Sequence, residues 1–437
     1  MTGLILLLAV AGGYLAAHVA SDWIARRFRI VSGVEYLVLG VLLGPQASGL
    51  LTPEGLESLS PIVTLGVGWT GALLGSQLVL PRLLRIRGVF YRVAFVESLI
   101  TLVLVSAVQL FVLAWTLGLH ARDAIIPAVA LGAIATVSAE AGVSVATRGR
   151  GPRDPLVRQF QVSAAMNSII AVVAFGLLVA LVHPSPPATL RAPTATEWVV
   201  INVAIGLVGG VLFHLFVGEE RHPDRLFIAL VGAMVLISGA TAFIRLSPML
   251  ATLVFGATLV NTTRRRREIE QALIRVDKAL YFVLLLLAGA LWSPPGREWL
   301  LPVVLFLVVR AVGKVGGARL AARANGQLRA LGGHWGRGLL GHGGLALVIA
   351  LNYLQFGHFP VADVVFTAVV ISVLLTDLLS ARFAESVFLP EPVAAPARRP
   401  PVAVAARPVD DPTDRAEEPE AQSADKPDKA EEAGEER

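Results

Sequence analysis

Near the middle of the apolar stretch RQFQVSAAMNSIIAVVAFGLLVALV, residues 158–182, stand Asn167 and Ser168 side by side. A polar pair at the depth of a membrane span is costly unless it faces a wet cavity, so it marks a candidate functional site. A second polar group lies in IPAVALGAIATVSAEAGVSVATRG, residues 126–149, where Thr136, Ser138 and Glu140 alternate. With Asn167 and Ser168 these would form an all-oxygen set of the kind that holds a hard cation, Glu140 being the best source of negative charge. The competing reading of Glu140 is a pair with a nearby arginine. Two more acids fall inside apolar segments, Glu97 and Asp377, and two bases, Arg310 and Lys314, lie four apart and so on one helix face. The bases are candidates for balancing charge. A buried arginine without a partner is strongly unfavourable, so Arg310 is expected to meet one of the acids or, failing that, a bound anion. His342 sits in the run GHGG at residues 341–344. It is of the type that changes charge in the physiological range, but a place among glycines suits hydrogen bonding to freed carbonyls better.

These residues need elements to position them, and composition says which kind. Of 437 residues 55% are hydrophobic and 16% charged, with a mean hydropathy of +0.69. That is the balance of an all-α polytopic membrane protein. With no cysteine, disulfides and thiol chemistry are excluded. At roughly 20 apolar residues per span, about thirteen transmembrane helices are predicted, near 3–24, 32–50, 60–80, 90–118, 123–147, 157–183, 196–217, 225–244, 247–262, 275–293, 299–322, 338–356 and 361–386. Arginine tests the count, since it accumulates in cytoplasmic loops. It crowds alternate loops: Arg26, Arg27 and Arg29; Arg82, Arg85, Arg87 and Arg92; Arg148, Arg150, Arg153 and Arg158; Arg221 and Arg225; Arg264–Arg267; Arg319, Arg323, Arg329 and Arg337. The alternation predicts an N-terminus outside and a C-terminus in the cytoplasm. Residues 1–388 form the membrane domain. Residues 389–437, rich in Pro and Ala and then in acid, read as a disordered cytoplasmic tail.

The fifth and twelfth spans are ill suited to unbroken helix, because their central Ser, Thr and Gly favour local unwinding. With the first span set aside, the rest divides into two six-helix halves, the breaks falling fourth in one and fifth in the other. Interrupted helices in both halves point to an inverted-repeat secondary transporter with its site near the midplane. The alternative is that these small residues serve only close packing.

SGVEYLVLGVLLGP at 32–45, LSPMLATLVFGATLVN at 246–261 and VRAVGKVGGARLA at 309–321 resemble the second, ninth and eleventh helices of the monovalent cation:proton antiporter superfamily, the sodium/hydrogen exchanger-like membrane domain. The similarity spans residues 3–386. It implies a thirteen-helix fold with two crossing discontinuous helices, a dimerisation domain and a core that moves like an elevator. It also implies a homodimer in the bacterial inner (plasma) membrane, with a monovalent cation, proton and membrane lipid as partners. No cofactor, no metal beyond the transported cation and no nucleic acid are expected. The family's ion site is an Asn-Asp or Asp-Asp pair on the sixth helix, where cation and proton compete for one carboxylate. Here that pair is Asn167-Ser168, and the Glu often found a little earlier aligns with Ser163. A serine cannot ionise, so the charge must come from elsewhere: Glu140, Glu97 or Asp377. Arg310 best matches the family's basic position. The expectation is Na+ or K+ exchange for protons at an atypical site. Alternatives are a divergent member carrying another solute or an anion, and a non-transporting membrane sensor or scaffold. Nothing in the sequence suggests an enzyme.

Overall fold

The computed structural model describes residues 11–12, 33–139, 154–184, 193–217, 220, 222–296, 299–324, 334–357 and 359–387. The first predicted span, apart from residues 11–12, and the whole tail lie outside them. So does Glu140.

Among the described residues every regular element is helical. In chain order they are α1 (Val34–Leu43), α2 (Pro53–Ser58), α3 (Ser60–Ser76), α4 (Leu80–Leu83), α5 (Gly88–Leu117), α6 (Ala121–Thr136) and α7 (Pro155–Leu181). Then follow α8 (Ala195–Val217), α9 (Pro223–Phe243), α10 (Pro248–Thr262), α11 (Arg266–Leu291), α12 (Leu300–Ala324), α13 (Gly344–Gln355) and α14 (Ala362–Ser386). Five of them, α5, α7, α8, α9 and α12, are long and apolar enough to cross a membrane. The helix starts follow local chemistry. Proline opens α7, α9 and α10, where its missing N–H costs nothing. The Asp154 side chain caps α7 by accepting from Leu156 N at 2.8 Å.

Several boundaries differ from the hydropathy reading; α1, for one, ends at Leu43 rather than near 50. Helix α11 starts at Arg266, not near 275, because its first turns are amphipathic. Ile269, Ala272 and Leu273 are buried there among charged neighbours that dilute the average. The twelfth segment is a 3-10 turn, His334–Leu339, then non-helical chain at 340–343, then α13. Likewise α6 stops at Thr136 and residues 137–139 are non-helical. The breaks fall in the fifth and twelfth segments, as expected. Setting apart the seventh segment, α8, rather than the first makes each break fifth in its half. The fourth members are then α5 and α12, and the sixth are α7 and α14.

Small residues decide which helices touch. A Cβ on Gly75 would lie 2.1 Å from Leu253 O, and one on Gly256 would lie 2.3 Å from Ala72 O. Helices α3 and α10 therefore pack backbone to backbone, as small-residue pairs allow between membrane helices. Elsewhere α5 packs on α6, α7 and α12, while α13 lies against α14, α3 and α11. The candidate residues converge where α5, α6, α7, α12 and α14 surround the two breaks.

Candidate functional site

A broken helix exposes carbonyls at one stump and N–H groups at the other, carrying roughly half a unit charge of opposite sign at each. Inside a bilayer those groups must be satisfied by protein. Here the two breaks partly satisfy each other: Ala139 N donates to Gly341 O at 2.9 Å. Charged side chains do the rest. Arg310 is buried and donates to three carbonyl oxygens, Leu340 O at 2.6 Å, Val137 O at 2.9 Å and Gly341 O at 3.2 Å. Among the described residues its hydrogen-bonding partners are main-chain carbonyls from both breaks rather than either acid. A planar fork of five donors suits that task as an ammonium would not. At the opposite stump Asp377 Oδ1 accepts from His342 N at 3.0 Å and Gly343 N at 2.8 Å, placing negative charge at the N-terminus of α13. The His342 ring bridges Ile134 O (Nε2, 3.0 Å) and Ser372 Oγ (Nδ1, 2.8 Å), so it serves the freed carbonyls.

The glycine run has a steric cause. Gly343 has φ 78 and ψ 157, a region almost reserved for glycine. A Cβ there would also meet Ala139 Cα at 3.0 Å. Gly343→Ala is expected to push the two breaks apart, lowering the unfolding temperature by several degrees in a detergent melt. Unchanged melting would show that the junction tolerates the shift.

The second acid–base pair is different in kind. Glu97 and Lys314 are both completely buried, with Lys314 Nζ 3.2 Å from Glu97 Oε1. Lys314 also donates to Thr136 O, the last residue of α6, and Thr101 Oγ1 approaches Glu97 Oε1 at 3.4 Å. Among the described residues, Glu97 Oε2 is buried with no hydrogen-bond partner of ordinary geometry. An uncommitted carboxylate oxygen in the interior is costly and calls for an explanation. Among the described residues the junction holds two buried bases, Arg310 and Lys314, and two buried acids, Glu97 and Asp377.

Around this pair the structure assembles most of the predicted ligand set. Asn167 Nδ2 donates to Ser138 Oγ at 3.1 Å, Thr136 Oγ1 donates to Asn167 O at 3.2 Å, and Ser98 Oγ donates to Asn167 Oδ1. All four residues are buried. Ser168 is buried too, but its hydroxyl donates to Ala164 O of its own helix at 3.1 Å, so it shares no hydrogen bond with the others. Ser98 and Thr101 were not singled out from the sequence, although both belong to the run ESLIT at 97–101 that follows Glu97. Asp377 and Glu97, equivalent as intramembrane acids in the sequence, have separate tasks: one caps a helix stump, the other holds the lysine beside Asn167.

No protein-family model matches the sequence, and no curated protein matches it. Solved structures do match in fold. The structure of the sodium proton antiporter MjNhaP1 from Methanocaldococcus jannaschii at pH 8 superposes with a TM-score of 0.62 over 89% of this chain and 98% of that one, at 15% identity. A second, electron-microscopy structure of the same protein gives 0.54 over 87% and 94%, at 18% identity. The chain therefore has the fold of a sodium proton antiporter and is a multi-pass membrane protein.

Proposed function

We propose that this chain is a secondary active transporter exchanging a monovalent cation, Na+ or K+, for protons, with Glu97 in place of the carboxylate absent at position 168. One observation carries the reading: the buried Glu97–Lys314 pair beside the two interrupted segments, with Glu97 Oε2 uncommitted. Lys314 occupies the position that a transported cation would take against the carboxylate, so cation and ammonium exclude each other. Neutral oxygens from Thr136, Ser138 and Asn167 would complete the cation's shell. Glu140, next in sequence after the last described residue of the break, and Ser168 are kept as further oxygen ligands. Glu140→Gln is expected to raise the cation concentration needed for half-maximal flux without abolishing it; unaltered flux would remove Glu140 from the set. The fold likeness supports alternating access by an elevator-like core within a homodimer. Arginine alternation supports a cytoplasmic C-terminus in a bacterial inner membrane.

The test is a proteoliposome loaded with a pH-sensitive dye. Adding external sodium, potassium or lithium is expected to drive protons out and make the lumen alkaline. No response to any of the three, from protein shown to be folded, would overturn exchange. A second reading rests on Ser168 itself: without an acid on α7 the core would carry another solute or an anion. In that case a small anion, and not sodium or potassium, would raise the unfolding temperature in detergent.

A further inference from the structure

Two runs of arginine about 180 residues apart in sequence are brought to one end of the bundle. The cause is the backbone contact between α3 and α10, which sets the end of α3 against Leu253 and Ala257, so that α10 runs on for more than a turn past it. Asn261 then clasps the chain that leaves α3: its Oδ1 accepts from Leu80 N at 2.9 Å, and its Nδ2 donates to Leu78 O at 2.8 Å. Beyond the clasp, α4 and the residue after it expose Leu80 (55%) and Leu84 (76%), with Arg82 and Arg85 exposed among them. Beside them the chain leaving α10 presents the run 264–267, of which Arg264 and Arg267 are exposed. Among the described residues, no carboxylate lies within salt-bridge distance of any of these six arginines.

We propose that this corner binds the headgroup of an anionic phospholipid. Guanidinium groups grip phosphate through paired N–H donors, and Leu80 and Leu84 give the acyl chains an apolar edge. Loop charge bias alone puts arginines at this end of the bundle. It does not explain why two distant runs are pinned together by a side-chain clasp, or why arginines with no ion pair among the described residues adjoin exposed leucine. A soluble polyanion would have no use for the leucines. A lipid uses both, and the patch lies where the apolar helices α3 and α10 give way to arginine-bearing chain.

Wild-type protein in nanodiscs of equal phosphatidylglycerol and phosphatidylcholine is re-extracted, and retained lipid is counted by native mass spectrometry. About tenfold enrichment of phosphatidylglycerol is expected, falling to near parity in Arg82→Gln/Arg85→Gln/Arg264→Gln/Arg267→Gln and weakened in Leu80→Ser/Leu84→Ser. Equal retention of both lipids by the wild type, or undiminished enrichment in the fourfold variant, overturns the proposal. Should that variant not fold, the wild-type melt decides. Phosphatidylglycerol, and not inorganic phosphate, is expected to raise its unfolding temperature, and high salt to remove the gain. Equal stabilisation by inorganic phosphate would mean a free-anion site and overturn the lipid assignment.

Discussion

Glu97→Gln is expected to abolish cation-driven proton flux, leaving less than about one part in a hundred of the wild-type rate, and also to destabilise the fold. The two effects have different causes. Transport is lost because Gln cannot supply charge to a cation, and Ser168 and Asn167 carry none. Stability is lost because Lys314 is fully buried and, among the described residues, its one ion-pair partner is Glu97. Breaking a buried pair by removing one member costs about 3–5 kcal/mol. The double substitution Glu97→Gln/Lys314→Met removes both charges, so it is expected to recover most of the stability and none of the transport. Flux in proteoliposomes and thermal unfolding in detergent read the two separately. A stable, actively exchanging Glu97→Gln protein would refute the assignment of the carboxylate, and a double variant as unstable as the single one would refute the account of the pair.

Arg310→Met is expected to be at least as damaging to the fold, through geometry rather than net charge. One guanidinium closes three carbonyls, one from the fifth segment and two from the twelfth. Hydrogen bonds to charged groups contribute about 1.5–3 kcal/mol each, and no water in a bilayer core replaces them. Arg310→Lys keeps the charge but not the planar fork, so it should recover part of the loss and no more. Hydrogen exchange locates the effect: the amide of Ala139 donates across the two breaks to Gly341 O and those of His342 and Gly343 donate to Asp377 of α14, so these amides should lose protection first. Full rescue by lysine would mean that charge alone matters at this position and that the three-carbonyl geometry is incidental.

Much of the architecture is legible without coordinates, because a bilayer imposes a length and a polarity on every span. Apolar segments sit on the helices with modest errors at the ends. The exception, the start of α11, lies in an amphipathic stretch where averaging over both faces conceals the buried one. The breaks at 137–139 and 340–343 are visible because Thr136, Ser138 and the GHGG run are poor continuous helix. That Asn167, Thr136 and Ser138 share one site also follows from their midspan depth.

What the sequence by itself determined is therefore where most of the described helices lie, the two weak points among them, and a short list of residues too costly to bury without a purpose. Pairing was decided only by tertiary structure. Glu97 and Asp377 are alike as intramembrane acids, and Arg310 and Lys314 share a helix face, so no spacing rule says which acid meets which base. The fold resolves this by distance and shape. Helix α5 carries Glu97 to within 3.2 Å of Lys314, while Asp377 on α14 faces the N–H groups of a broken helix. Arg310, with its wide fork, meets carbonyls. The same reason explains Ser168: its place beside Asn167 in sequence says nothing about its direction, and one helical step of about 100° turns its hydroxyl back onto its own helix.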